Sequence, residues 1–127
     1  MIIGIGVDIV KIDRLKNIAK KKGSSFLNRV FTKVELGYCD KKLNRFQHFA
    51  GKFATKEAIS KALKMKWEKG LNWKQIEIIN NVDGIAESKL SGQAKRLANK
   101  LGVKDINISI SHCNEYAVAM AVITKEK

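Results

Sequence analysis

The chain of 127 residues contains no proline and only two cysteines, Cys39 and Cys113. Two cysteines are too few for a disulfide scaffold, and without a Cys-x-x-Cys pair they do not form a typical zinc site. A reducing, cytoplasmic location is therefore expected. Because proline is absent, the boundaries of helices and strands are predicted from Gly, Asn, Asp and Ser.

Long apolar runs are also missing from the sequence. No run reaches the 18 or more apolar residues of a membrane span, so none is predicted. The apolar stretch at 1–10 follows no basic segment and contains Asp8, which is unlike a signal peptide. With 45% hydrophobic and 29% charged residues, the composition predicts one soluble globular domain over residues 1–127.

Acidic residues are scarce: 12 stand against 25 basic residues, which gives a formal net charge of +13. The densest basic segment, 11–22, has one acidic residue, Asp13, against six basic ones. A solvated surface explains any single lysine, but a cluster of this size predicts an acidic partner, such as nucleic acid, anionic lipid or an acidic protein.

The periodicity of the apolar residues predicts alternating helices and strands without repeats or linkers. Thr32 followed by Glu35 has the pattern of a capping box, and residues 81–84 and 114–115 are predicted turns. The alternating alanines within 117–121 predict close packing against another element, for example a second subunit. The predicted helices are 11–21, 25–30, 33–40, 43–65 and 88–101, and the predicted strands are 2–7, 75–80, 106–111 and 116–122.

Two charges fall on the apolar side of the longest predicted helix. On a helical wheel, Glu57 lies within about 40° of Phe46 and Phe53, and Lys61 follows one turn later. An unpaired carboxylate there would lose several kcal/mol of solvation, so Glu57 is expected to have a partner, either Lys61 or a metal ion. The alternative is an ordinary surface pair of Glu57 and Lys61.

Asp8 interrupts the apolar run that predicts a buried first strand. It either ends the strand and caps the next helix, or it joins Glu57 in a metal site. Two carboxylates are a common protein contribution to a Mg²⁺ site, in which water and substrate phosphate fill the other positions.

Ser111, His112 and Cys113 lie at the end of a predicted strand. A lone histidine there is usually a satisfied residue at the edge of the core, but Ser111 and His112 together are suited to bind an anion. Neighbouring side chains on a strand face opposite sides, which argues against a Cys113–His112 nucleophile pair. His48 indicates no chemistry from the sequence.

Three blocks of the sequence resemble the signature blocks of the holo-[acyl-carrier-protein] synthases, which are short bacterial 4′-phosphopantetheinyl transferases. They are Gly-Ile-Gly-Val-Asp at 4–8, Phe-Ala-Gly-Lys-Phe-Ala-Thr-Lys-Glu-Ala at 49–58 with Lys61, and Ile-Ser-His at 110–112. The resemblance covers nearly the whole chain. It implies an α+β fold, in which a small antiparallel sheet packs against a long central helix, and a homotrimer with active sites between subunits.

The resemblance also implies the reaction. Family members transfer 4′-phosphopantetheine from coenzyme A to a serine hydroxyl of apo-acyl carrier protein, a step that serves fatty acid biosynthesis, and they release adenosine 3′,5′-bisphosphate. Asp8 and Glu57 would hold Mg²⁺, with Mn²⁺ as an alternative, and Lys61 would stabilise charge on the phosphates. Either Glu57 or a metal-bound water would accept the serine proton.

Substrate contacts follow from the same resemblance. At Lys52 family members commonly carry Arg, and a lysine lacks the bidentate geometry of arginine towards phosphate. A Gly-Lys-Pro or Gly-Arg-Pro turn of the family is also replaced here, by Asp-Gly-Ile-Ala at 83–86. The implied coenzyme A contacts are Lys61, Ser111, His112, Arg45 and Lys52. The implied carrier-protein contacts are Arg14, Lys20, Lys21, Lys22 and Arg29.

Two other classes of protein share some of these features. A nucleic-acid-binding module would explain the charge, but neither exposed aromatics nor an Arg-rich recognition helix is evident, and the two carboxylates would have no role. A non-catalytic module that binds carrier proteins would share the basic surface. Neither nucleic acid nor a membrane is expected as a partner.

Overall fold

A computed structural model describes residues 1–67 and 70–126, and residues 68, 69 and 127 lie outside the described part. No helix in the described ranges combines the length and the apolar character needed to cross a bilayer. The helices are α1 (Ile12–Lys22), α2 (Ser24–Val30), α3 (Lys33–Asp40), α4 (Arg45–Ala62) and α5 (Gly92–Leu101), with a 3₁₀ helix at Trp73–Gln75. The strands are β1 (Ile2–Lys11), β2 (Ile76–Asn80), β3 (Ala86–Leu90), β4 (Val103–His112) and β5 (Tyr116–Lys125).

The strands form two small antiparallel sheets, and this confirms the expected α+β class. One sheet has the order β1-β5-β4, and the other is the β2-β3 hairpin. The long helix α4 packs across the first sheet, mainly on β1 and β5, and also meets β2. This helix therefore joins the two sheets and brings side chains from both towards one another.

Small residues allow α4 to lie directly on the first sheet. A Cβ atom on Gly4 would overlap the carbonyl oxygen of Ala62, and one on Gly6 would overlap that of Ala58. Beside them on β5, Ala119 and Ala121 are fully buried in the same core. The alanines of 117–121 pack closely, as predicted, but the element that covers them is α4 of the same chain and not a second subunit.

Only one face of β1 is buried, although the sequence predicted a fully buried strand. Gly6 faces α4, whereas Ile5, Val7 and Ile9 point to the other side of the sheet, where Ile5 is 62% exposed and Ile9 63% exposed. Met120, which pairs with Val7, is also exposed on that side. These four residues form what we call the outer apolar face.

β1 runs past Asp8 and ends at Lys11, four residues later than the strand predicted from the sequence. α1 begins at Ile12 and has no side-chain cap. The alternative in which Asp8 ends the strand and caps the helix is therefore wrong. Asp8 instead pairs with Ala119 in the sheet and lies on the side of α4.

The segment 81–101 confirms one prediction and corrects another. Asn81 and Gly84 form the predicted turn: the Gly84 N–H donates to the Asn81 carbonyl over 2.9 Å, and Gly84 has a φ of 81°. The predicted helix 88–101 is wrong at its start, because Ala86–Leu90 pairs with β2 and the helix begins at Gly92. Pairing with β2 makes this segment a strand, and a local sequence pattern does not reveal which strand will pair with it.

The capping box of α3 forms as predicted, and Glu35 also has a second role. Thr32 Oγ1 accepts from the Glu35 N–H, and Glu35 Oε1 accepts from the Thr32 N–H. The same carboxylate pairs with Lys56 Nζ on α4 over 2.9 Å. Its Oε2 accepts from the Ile78 N–H over 2.8 Å. The network therefore joins α3, α4 and β2, and it holds the hairpin against the helix.

Candidate active site

Asp8 and Lys61 meet where the middle of β1 faces the last turn of α4. Lys61 Nζ donates to Asp8 Oδ1 over 3.0 Å and to the Val7 carbonyl over 3.1 Å. The Lys61 side chain is 52% exposed and that of Asp8 is 18% exposed, so both remain open to solvent. The alternative of an ordinary surface pair between Glu57 and Lys61 is wrong, because Lys61 pairs with Asp8.

Glu57 lies one turn before Lys61 on α4 and is half-buried. Burial raises the pKa of its carboxyl group, the charge of Asp8 raises that pKa further, and Lys61 opposes the shift. Two carboxylates thus repel each other beside a single lysine, and a divalent cation would relieve this repulsion.

The donor set of this cluster fits a hard cation such as Mg²⁺. In the described part of the chain, no group of three or more His, Cys, Asp or Glu residues is arranged for metal binding. The protein therefore offers two carboxylates here, as in sites where Mg²⁺ keeps water and takes oxygens from a substrate phosphate.

A second feature is an open cavity of about 380 Å³ between α3, α4, the β2-β3 turn and β4. The turn residues 84–86 form part of its wall, so the segment that replaces the family's proline turn borders this cavity. Its polar lining residues include Tyr38, His48, Lys52, Asn80 and His112.

Lys52 is held in place at the bottom of this cavity. Its Nζ atom donates to the Ile78 carbonyl over 2.8 Å and to Asn80 Oδ1 over 2.6 Å, and it lies 4.6 Å from the centre of the Tyr38 ring. Burial lowers the pKa of Lys52. Because an ammonium group has three protons, one donor is left for a ligand.

The predicted coenzyme A contacts do not all lie together. Lys52 and His112 line the cavity, and Lys61 lies at the carboxylates. Ser111 pairs with Val118 on the opposite face of the sheet from His112. Arg45 pairs with Asp40 over 2.7 Å and does not line the cavity. Roles in binding for Ser111 and Arg45 stay predictions.

His48 is a cavity residue for which the sequence predicted no role. It lies one turn before Lys52 on α4, and its ring centre is 5.7 Å from that of His112. The spacing of four residues to Lys52 was a signal that could have revealed it.

The predicted carrier-protein residues are distributed over α1 and α2. Arg14, Lys20 and Lys21 line an open groove on α1 together with Lys11 and the apolar Ile18. Lys22 is the last residue of α1, and Arg29 is exposed on α2. Asp13 is the only acidic residue that lines this groove in the described part of the chain. The groove is thus mainly basic, with one apolar residue in its lining.

Comparison with known proteins defines the class. The family model described as the 4′-phosphopantetheinyl transferase superfamily matches residues 4–121. The chain therefore belongs to this superfamily, a class of transferases.

Full-length relatives define the branch. The chain is 49% identical over 124 residues to a holo-[acyl-carrier-protein] synthase of Thermodesulfovibrio yellowstonii, and the match covers 98% of this chain and 100% of the relative. The crystal structure of the synthase from Neisseria meningitidis has a TM-score of 0.88 at 28% identity and covers 98% of this chain and 100% of that one. That from Helicobacter pylori, in complex with coenzyme A, has a TM-score of 0.82 at 32% identity, with coverage of 94% and 99%. Within the superfamily, the chain belongs with the holo-[acyl-carrier-protein] synthases.

Proposed function

We propose that this protein transfers the 4′-phosphopantetheine group of coenzyme A to a serine hydroxyl of an apo-acyl carrier protein, with Mg²⁺, in fatty acid biosynthesis. The observation that carries the proposal is the cluster of Asp8, Glu57 and Lys61, in a chain that matches holo-[acyl-carrier-protein] synthases over its full length. A module that only binds carrier proteins would have no use for two carboxylates that repel each other.

The reaction is a phosphoryl transfer. The serine oxygen forms a bond to the β-phosphorus of coenzyme A, and the bond from that phosphorus to the bridging oxygen breaks. Adenosine 3′,5′-bisphosphate leaves with the electron pair, and the 4′-phosphopantetheine group, with the β-phosphorus, stays on the serine. Such transfers depend mainly on positioning and on stabilisation of charge.

Glu57 and Lys61 have distinct roles in this proposal. Glu57 accepts the proton of the serine hydroxyl, because it is the carboxylate of this cluster that Lys61 does not hold. Lys61 places its positive charge beside the phosphate oxygens and stabilises the charge that develops on the leaving group.

Asp8 and Glu57 would together hold Mg²⁺, with Mn²⁺ as an alternative. When bound, the metal supplies positive charge against the pyrophosphate. Asp8, which faces α4 from the middle of β1, keeps its carboxylate in place through the hydrogen bond from Lys61.

The exposed surfaces support the proposed partners. The outer apolar face of Ile5, Val7, Ile9 and Met120 is suited to burial between subunits, in a homotrimer with active sites between neighbours. The basic groove on α1 is suited to an acidic carrier protein.

The direct test is incubation with coenzyme A, Mg²⁺ and apo-acyl carrier protein, followed by intact mass spectrometry of the carrier. We expect a phosphopantetheinyl adduct that EDTA abolishes. A carrier whose acceptor serine is replaced by alanine is the control and should stay unmodified. If no adduct forms with Mg²⁺ and none forms with Mn²⁺, the proposal is overturned.

Arg14→Glu tests the carrier surface. The reversed charge should raise the KM for the carrier about tenfold, because rim charges govern encounter with a partner, and it should leave the KM for coenzyme A unchanged. Lys100→Glu on α5 is the matched control for a change in net charge. Equal changes in both KM values would remove Arg14 from the docking surface.

A further inference from the structure

We propose that His48 is a binding residue for the 3′-phosphate of coenzyme A, and that this phosphate binds together with a proton taken up by His48. The inference rests on the proposed function, because it takes coenzyme A as the substrate and places its phosphomonoester in the cavity of Lys52.

His48 lies close to two other rings that line this cavity. Its ring lies edge-on between two others, with ring centres 6.0 Å from Tyr38 of α3 and 5.7 Å from His112 at the end of β4. Lys52 follows one turn later on α4 and lines the same cavity. Two imidazoles and an ammonium group, from two separate elements, thus converge on a space of about 380 Å³.

The lining of this cavity favours a group that accepts several hydrogen bonds. Among the described residues that line it, none is Asp or Glu. Lys52 has one proton beyond its bonds to Ile78 and Asn80, and each imidazole carries at least one N–H. A phosphate group offers several acceptor oxygens and carries negative charge. Hydrogen bonds between charged partners are stronger than those between neutral groups.

The charges around His48 couple the binding of a phosphate to the protonation of this imidazole. Burial lowers the pKa of His48, and His112, Lys42 and Lys52 lower it further. The groups that face His48 are thus Tyr38 and Lys42 from the side of α3, Lys52 on α4 and His112 on β4, and all the charged ones are cationic. Without an anion, His48 stays neutral near pH 7. A bound phosphate supplies the missing negative charge and raises its proton affinity, so binding tightens as pH falls.

The first measurement needs no turnover. Isothermal titration calorimetry with adenosine 3′,5′-bisphosphate, in two buffers of different ionisation enthalpy at pH 7.5, counts the protons taken up on binding. Adenosine 5′-monophosphate is the control ligand, since it has a phosphate that titrates near pH 6 but no 3′-phosphate. We expect proton uptake with the bisphosphate that exceeds the control and decreases in His48→Phe, which keeps an aromatic ring.

The second measurement uses the enzyme reaction with coenzyme A and with dephospho-coenzyme A, which lacks the 3′-phosphate. Between about pH 6.5 and 8.5, around the usual histidine range, the KM for the dephospho substrate divided by the KM for coenzyme A should rise as pH falls. In His48→Phe this ratio should drop about tenfold at low pH, the usual effect of one hydrogen bond to a charged group, while kcat changes less. His48→Gln, which keeps a donor but cannot be protonated, should bind better than His48→Phe without restoring the pH dependence.

The outcomes separate this inference from the proposed function. If the wild-type protein forms no adduct on the carrier, the proposed function fails. If it does form the adduct, but His48→Phe has the wild-type ratio and the wild-type proton uptake, His48 is a packing residue and the inference is overturned. Lys100→Gln controls for the loss of one surface cation. Should His48→Phe not fold, the same comparison with His48→Gln decides the question.

Discussion

Two lysines five residues apart on α4 each form an ion pair, and the two pairs differ in almost every other respect. Lys56 pairs with Glu35 over 2.9 Å, and both side chains are 0% exposed. Lys61 pairs with Asp8 over 3.0 Å, and both side chains are reached by solvent. Distance alone does not distinguish the two pairs, so the difference has to come from their surroundings.

The buried pair forms a closed network. Lys56 Nζ also donates to the carbonyls of Trp73 and Ile76, and both oxygens of Glu35 accept backbone N–H groups. At the open pair, the described hydrogen bonds and ion pairs include none to the carboxylate of Glu57, which lies one turn away. A pair whose hydrogen bonds are all made indicates a structural role, whereas the carboxylate of Glu57, without such a bond beside solvent, indicates a site for a ligand.

The largest expected effect is on turnover at the open site. Glu57→Gln removes the proposed proton acceptor and one metal ligand without changing the volume of the side chain. Formation of the carrier adduct should slow by about 10²–10⁴-fold, the usual contribution of a positioned acid or base, while the affinity for the carrier is kept. Mass spectrometry of samples quenched at successive times measures the rate of adduct formation, and a carrier-binding assay measures the affinity. Wild-type turnover in this variant would contradict the assignment of the open pair to catalysis.

The buried pair should instead determine stability. Lys56→Met leaves the charge of Glu35 uncompensated in the core, so the free energy of unfolding should fall by about 3–5 kcal/mol. Adding Glu35→Gln to this variant removes that charge and should recover part of the loss. Urea unfolding of the single and double variants measures both values. If the single variant were as stable as wild type, the structural role of this pair would be wrong.

How much of this could be predicted from the sequence depends on how local the cause is. The capping box of Thr32 and Glu35, the turn at Gly84 and the carboxylates Asp8 and Glu57 were all apparent from short patterns. Lys56 was not singled out, because its partner lies 21 positions away and a helical wheel does not show which other elements cover the helix. Sheet pairing likewise decided the start of α5.

The cavity was predictable only in part, for a related reason. His112 was singled out from its place at the end of a predicted strand and Lys52 from the family resemblance, but His48 acquires its role from a residue 64 positions away across α4 and β4. Ser111 was grouped with His112 because they are neighbours in sequence. The alternation of a strand places the two on opposite faces.

Lys61→Met sharpens the comparison, because it is the same substitution as Lys56→Met on the same helix. An exposed ion pair usually contributes no more than about 1 kcal/mol, so the free energy of unfolding should change little. Turnover should fall about 10²-fold, because the charge beside the phosphates is lost. The two lysines should thus show opposite patterns in unfolding and activity assays. Loss of stability without loss of turnover in Lys61→Met would reverse their assignment.

The smallest expected effect concerns the stability of Glu57→Gln and its dependence on pH. The folded protein raises the pKa of Glu57 above its ordinary value of 4.5, so folding favours the protonated form and ionisation works against it. The contribution of this group to stability is therefore present at low pH and is lost as pH rises through the raised pKa. Without metal, Glu57→Gln should unfold at a slightly higher temperature than wild type at pH 7, and the difference should vanish below pH 4.5.

Asp8→Asn is the matched control, since it also removes a carboxylate but breaks the bond from Lys61. A Glu57→Gln variant less stable than wild type at pH 7 would show that Glu57 belongs to the structure, like Glu35, and not to an open site.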